Sequence, residues 1–389
     1  MTSDLKLSDL CYYADGRVAI SDLDLDTYIS TENMLPNKEG ITRSSGLPTV
    51  SQTQAYQADD VLVSNIRPYF RKIWFADRDG GCSNDVLVLR AKETCNPGFL
   101  YYLLSDNNFF DYATATSKGT KMPRGDKGAI MRYVVPDIPL YTQIEIADTL
   151  SAIDARIAVN RKINHHLEQM AQAIFKSWFV DFEPFGGTMP DHWREVPLGE
   201  VVEMSTKALN PQSCPDTILE HYSIPAFDET RLPVFEAASE IKSNKYIVDK
   251  DCFLISKLNP TTKRIWRPYC ISSHAVCSTE FIVYRAKNPT HKDFYYSVID
   301  SPAFTDFLLS HITGSTGSRQ RTIPSETLLF TVVVPPDDII EGFCDKVAPV
   351  YAHFEQNHLE SRRLRQIRDA LLPRLMSGEL SVADLGNAK

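Results

Sequence analysis

With 389 residues, 43% of them apolar, the chain is long enough for two or three domains with ordinary buried cores. Its net charge of −9 and pI near 5.5 exclude an unspecialised, uniformly basic nucleic-acid binder. No stretch reaches the ~18 uninterrupted apolar residues of a membrane span, and MTSDLKLSDL lacks the charged-then-apolar layout of a signal peptide, so a soluble, cytoplasmic chain with no membrane partner is expected.

In chain order, residues 1–140 are mostly short apolar runs such as DVLVS (60–64) and DVLVLRAK (85–92), divided by Gly, Asn, Asp and Pro. These read as strands. Gly98–Phe110 is a helical candidate, followed by a basic loop and the strand-like Arg132–Pro136. From Gln143 to Phe179 the apolar residues Ile146, Leu150, Ile153, Ile157, Ile163, Leu167, Met170 and Ile174 recur three or four apart, which predicts one helix. Over roughly 37 residues its length would be about 55 Å. A narrow seam on so long a helix calls for a partner helix to bury it. The helix stops at the Pro/Gly break DFEPFGG (181–187).

The pattern then restarts. SNIRPYFRKIW (64–74) aligns without gaps to SKLNPTTKRIW (256–266), and CSNDVLVLRAK (82–92) matches CSTEFIVYRAK (277–287) at six of eleven positions. LKLSDL (5–10) corresponds to VPLGEV (196–201), and RYVVP (132–136) to TVVVP (331–335). Offsets pass through 191, 192, 195 and 199 and settle at 197 in a second helical pattern, Ile339–Met376. There the seam falls on Phe343, Val347, Val350, Phe354, Leu364, Ile367 and Leu371, with Glu360 in place of Ile163. Asn160 maps onto Asn357; buried, such a residue fixes register, and exposed it is merely tolerated. Pro349 predicts a kink or a delayed start in this helix.

The expected organisation is therefore α+β, a tandem duplication with a first mixed α/β unit at 1–140, a long helix and linker at 141–185, a second unit at 186–337, and a second long helix with its tail at 338–389. The two helices would pack as an antiparallel intramolecular coiled coil about a pseudo-two-fold axis.

Catalytic signatures are absent. The chain has no G-x-G-x-x-G, G-x-x-x-x-G-K-[ST], H-E-x-x-H or G-x-S-x-G. His353 and His358 fall on different helix faces, as do His165 and His166, so no metal site is expected. Cys11, Cys82, Cys95, Cys214, Cys252, Cys270, Cys277 and Cys344 form no C-x-x-C pair, which predicts buried or incidental thiols. The acid and Lys of DVLVLRAK are read more simply as a buried strand with a basic tip than as a nuclease core.

Charge is unevenly distributed despite the acidic total. Arg67, Arg71 and Lys72 lie in 61–74 with no acid, and Lys257, Lys263, Arg264 and Arg267 lie in 254–269 with none. The loop 117–132 holds Lys118, Lys121, Arg124, Lys127 and Arg132 against Asp126 alone, and its counterpart 314–321 carries Arg319, Gln320 and Arg321. Such loops are either solvated hairpin tips or a DNA surface. Recurrence in both units, with Trp74 and Trp266 beside the basic pairs, favours DNA, with Asn65, Arg67, Arg124, Arg319 and Gln320 as candidate readers of base edges.

The segments VVPDIPLYTQIEIADTLSAIDARIAVNRKINHHLEQMAQAIFKSWFVDFEPF (134–185), DVLVSNIRPYFRKIW (60–74) and LLPRLMSGEL (371–380) resemble the specificity subunit of type I restriction-modification systems. The resemblance implies two target recognition domains, each reading one half of a bipartite double-stranded DNA sequence, with the helices as a ruler between them. It also implies two methyltransferase subunits and restriction/translocase subunits as partners. These, and not this chain, would carry S-adenosylmethionine, ATP and Mg. Phe175, Trp178 and Phe179 would dock the methyltransferase subunits, or Phe175 and Trp178 would instead seal the helix end onto its own domain. The competing expectation is a coiled-coil scaffold that binds protein through its globular ends.

Overall fold

A computed structural model describes residues 5–313 and 320–387. The chain divides into two compact units, Met1–Ala158 with Arg363–Lys389, and Val159–Arg362, so both long helices contribute to both units.

In the first unit, eight strands form two four-stranded sheets: β1 (Cys11–Tyr13), β2 (Arg17–Ala19), β3 (Tyr28–Ile29), β4 (Gln52–Tyr56), β5 (Val61–Ser64), β6 (Ile73–Phe75), β7 (Gly80–Cys82) and β8 (Val86–Ala91). Their orders are β1-β8-β5-β6 and β2-β4-β7-β3. The runs VLVS and VLVLRA are nearly continuously apolar because both faces of β5 and β8 are covered. Val61, Val63, Leu87 and Leu89 face a core shared with the helices, and Leu62, Val86 and Val88 face a second core with Tyr56 and Cys82. The expected helix Gly98–Phe110 is two helices, Pro97–Ser105 and Asn107–Ala115. Asp106 is extended and its carboxylate accepts from Asn108 N–H, so it stops one helix and caps the next.

The second unit repeats this design. Its strands are β9 (Arg194–Pro197), β10 (Val202–Ser205), β11 (Ala208–Leu209), β12 (Ile218–Tyr222), β13 (Val234–Ala237), β14 (Lys245–Ile247), β15 (Cys252–Ser256), β16 (Ile265–Trp266), β17 (Ala275–Ser278) and β18 (Phe281–Ala286), followed by β19 (Ile312–Thr313), β20 (Arg321–Thr322) and β21 (Thr331–Val334). The order β10-β18-β15-β16 reproduces β1-β8-β5-β6, and β11-β14-β17-β12-β13 reproduces the other sheet with β13 added at its edge. Pairing also repeats in register: Val61 opposite Leu89 in the first unit becomes Phe253 opposite Tyr284 in the second. One aligned segment is corrected. Arg132–Pro136 is not a strand but makes a single bridge, Val134 to Lys6, because its partner turns helical at Leu7. Leu7 N–H donates to the Tyr133 carbonyl and Leu198 N–H to the Phe330 carbonyl, each at 2.8 Å, which sets the offset here at 197 instead of 199.

The long helices are Leu140–Phe179 and Asp337–Met376, 40 residues each. Pro349 delays nothing, since the second helix starts upstream of it. In the first unit Ile146, Ala147 and Leu150 share a core with Leu372, Leu375 and Met376, and Arg368 pairs with Asp154 at 2.7 Å. In the second unit Asn164 meets Asn357 (2.9 Å) and Asn160 reaches Ser361 (3.3 Å) and Glu360 (2.9 Å). Within each unit partner numbers fall as the first helix advances, so the packing is antiparallel. Asn160 and Asn357 are buried and hydrogen-bonded, the register-fixing alternative. Of the expected seam, Ile146, Leu150, Ile157, Phe343 and Val347 are buried, while Ile153, Leu167, Ile174, Val350, Phe354, Leu364 and Leu371 are half-buried.

Met170 and Ile367 are corrections. They are 52% and 39% exposed. Ala171 takes the inward place beside Met170, its small side chain leaving room for the cluster of Phe175, Phe179, Phe294 and Phe343. Arg368, neutralised by Asp154, takes the place beside Ile367, a substitution that apolar spacing cannot show. Phe175, Trp178 and Phe179 seal the helix end onto the second unit, with Phe179 also against Trp193.

Candidate nucleic-acid interface

Strand β5 ends at Ser64, whose hydroxyl donates to the Ile66 carbonyl (3.1 Å) and turns the chain. Asn65 is then held on both sides. Its N–H donates to the Asp85 carbonyl (2.8 Å), and its carbonyl accepts from Gly125 N–H (3.0 Å). Next, Ile66 bridges to Arg124 and Arg67 N–H donates to the Pro123 carbonyl (2.8 Å). The chain 64–67 is thus clamped between the start of β8 and the basic loop. The Asp85 carboxylate pairs with Arg124 at 3.0 Å across the clamp.

The same junction recurs in the second unit. Ser256 donates to the Leu258 carbonyl (3.0 Å), Lys257 N–H to the Glu280 carbonyl (2.9 Å), and Thr322 N–H to the Lys257 carbonyl (3.0 Å). Leu258 bridges to Arg321, Asn259 N–H donates to the Gln320 carbonyl (2.9 Å), and Glu280 grips Arg321 through two contacts of 3.0 and 3.1 Å. Hydrogen bonding from Arg321 holds the Glu280 carboxyl below its usual range, and the same bond raises the guanidinium.

Arg67 and Asn259 occupy equivalent places, each immediately before a proline and each left-handed, with φ of 49° and 48°. A non-glycine residue there is strained, doubly so before proline, and the clamp on both sides supplies the compensation. At these junctions Asn65 Oδ1, Arg67 Nε and Asn259 Oδ1 are buried without a hydrogen-bond partner among the described residues.

Most other candidate basic residues are engaged inside their own unit. Arg71 pairs with Asp111 (3.5 Å), Lys118 with Asp126 (2.5 Å) and Lys263 with Asp300 (2.6 Å), while Lys72 Nζ donates to the Thr31 carbonyl (2.6 Å). Burial lowers the Lys72 ammonium pKa, and the Lys118 bond followed by Ala129 N–H lowers that of Asp126 to about 2. Arg264 is held by Asp228 at 2.6 and 2.9 Å, and Arg267 is held by Asp293 at 2.8 Å and lies over the Tyr351 ring. These last two are largely buried braces of the second unit, not loop tips. Lys121 is exposed near the tip of the first basic hairpin; Lys257 is half-buried, and Arg319 lies outside the described residues.

Spacing alone did not single out Asn259, Asp85 and Glu280, although the signal was present. Asn259 aligns with Arg67, and Asp85 with Glu280, in the two gapless matches. Among the described residues no group of three or more His, Cys, Asp or Glu is placed to hold a metal ion, and no helix is long and apolar enough to cross a membrane.

Residues 4–169 match the family model described as the type I restriction modification DNA specificity domain. The chain is 25% identical to the HindI specificity subunit of Haemophilus influenzae, covering 91% of this chain and 94% of that one. It is also 25% identical to the MjaIX specificity subunit of Methanocaldococcus jannaschii, covering 74% and 70%. In fold it is similar to the crystal structure of a type I restriction-modification S subunit from M. genitalium, with a TM-score of 0.57, 16% identity and 96% of each chain covered. Residues 4–169 thus carry the type I restriction modification DNA specificity domain, and the chain is similar over most of its length to specificity subunits of type I restriction enzymes.

Proposed function

We propose that this chain is the specificity subunit of a type I restriction-modification system and reads a bipartite double-stranded DNA target, each repeat taking one half. The observation that supports this most is the duplicated junction: one clamped backbone geometry, presented twice, with Arg and Asn at the equivalent tip positions. Arg reads guanine O6 and N7, and Asn reads adenine N6 and N7, through paired hydrogen bonds in the major groove. The helices, 40 residues each, would set the spacing between halves, and the polar layer around Asn160 and Asn357 would hold their register.

Chemistry belongs to partner subunits in this reading. Methyltransferase subunits would bring S-adenosylmethionine and flip the target adenine, and restriction/translocase subunits would bring ATP and Mg. A chain of net charge −9 whose junction arginines Arg124 and Arg321 are ion-paired leaves much of the phosphate contact to those partners. Co-expression with the methyltransferase subunits in a host without other systems, followed by mapping of adenine methylation, should give one bipartite motif. A motif unchanged on omitting this chain would refute the proposal.

A further inference from the structure

We propose that Asn65–Arg67 and Lys257–Asn259 are equivalent base-reading tips, one per repeat, and that the Asp85–Arg124 and Glu280–Arg321 pairs are the positioning devices that hold them. This rests on the functional reading above and names the residues that determine each half of the target.

Comparing the repeats separates scaffold from letters. The scaffold is retained: serine at 64 and 256, proline at 68 and 260, arginine at 124 and 321, and a carboxylate at 85 and 280. What differs is the pair of side chains the scaffold displays, Asn and Arg in one repeat and Lys and Asn in the other. A junction inherited only for folding would have no reason to keep a strained left-handed residue at 67 and 259, where glycine would be free of strain. Arginine and asparagine at those places are among the side chains best suited to paired contacts with a base edge.

Charge accounting points the same way. In the first repeat Arg71 and Arg124 are committed to carboxylates, while Arg67 makes no ion pair among the described residues. In the second, Arg264, Arg267 and Arg321 are committed, leaving Lys257 and Asn259 at the equivalent tip. Each arginine–carboxylate pair links the start of the central strand to the basic loop, directly beneath the tip. Asp85 and Glu280 therefore act through the backbone of the loop and need not touch DNA.

The test uses the full chain in complex with its methyltransferase subunits, reading both the methylated motif and affinity for duplexes carrying single-base changes. Arg67→Asn and Asn259→Arg are suitable variants, because each installs a residue that the other repeat already carries at the same φ. Arg67→Asn should alter one or two positions of one half, reducing discrimination there by about tenfold to a hundredfold, and leave the other half intact. Asn259→Arg should do the mirror image. Asp85→Asn should blur only the half read by Arg67, with recovery in Asp85→Glu, whereas a purely structural role would lower affinity for all sequences alike. Unchanged motifs, or equal loss at both halves, would overturn the assignment while leaving bipartite recognition standing. Absence of any bipartite motif with the unaltered chain would overturn both.

Discussion

The two repeats share an arginine in the central sheet but bury its partner differently. Arg90 holds Asp60 through two 2.7 Å contacts, with the Asp60 side chain 1% exposed; Arg285 holds Asp249, whose side chain is 49% exposed. The backbone design has been copied while the arginine's partner has moved, since Asp249 does not stand at the position equivalent to Asp60. The junctions at 64–67 and 256–259 show the reverse pattern, with their supporting backbone hydrogen bonds kept and their displayed side chains changed. On the proposed reading, a tip must keep its geometry to change its letter.

The largest expected difference follows from burial. Asp60→Ala leaves Arg90 facing a gap in the protein and should destabilise the first unit by about 3 kcal/mol. Asp249→Ala, at a half-exposed pair, should cost under about 1 kcal/mol. Hydrogen exchange resolved by unit would measure both, and equal losses would erase the contrast.

A smaller effect is expected at the clamp. A Cβ on Gly125 would lie 2.8 Å from Asn65 Oδ1 and 3.1 Å from the Ile130 side chain, whereas the second repeat carries Thr322 at the same place. Gly125→Ala should push the Asn65 side chain aside and weaken discrimination in one half by about tenfold, with global stability changed by about 1 kcal/mol or less. Discrimination equal to that of the unaltered chain would show that Asn65 does not contact a base.

The smallest is a pH effect. The folded Glu280 carboxyl titrates below its usual value, so its pair with Arg321 contributes fully above the unfolded carboxyl pKa, and that contribution is lost as pH falls through the lower folded value. In acid titrations Glu280→Gln should flatten this part of the stability curve in the second unit, by under about 1 kcal/mol because the pair is partly exposed. An unaltered curve would mean that the pair forms equally in the unfolded chain.

The tandem repeat, the two long helices and the doubly covered central strands were legible because hydrophobic spacing and residue identity record them directly. Asp106 split one expected helix through capping, a local hydrogen bond that apolar periodicity does not register. Met170 and Ile367 were misplaced because Ala171 and Arg368 occupy the inward positions, one by being small and the other by being neutralised. At the site, positive charge was visible but its commitments were not: the partners of Arg264 and Arg267 lie 36 and 26 residues away in sequence. The junction itself was within reach of the alignment, which set Arg67 against Asn259, but only the left-handed backbone and the repeated clamp mark those residues as a pair.

The claim that each repeat owns one half of the target is tested most directly by replacing residues 5–135 with their counterparts 196–332 and mapping adenine methylation in the presence of the methyltransferase subunits. The account predicts a symmetric motif in which both halves equal the one assigned to the second repeat. An unchanged asymmetric motif would contradict it.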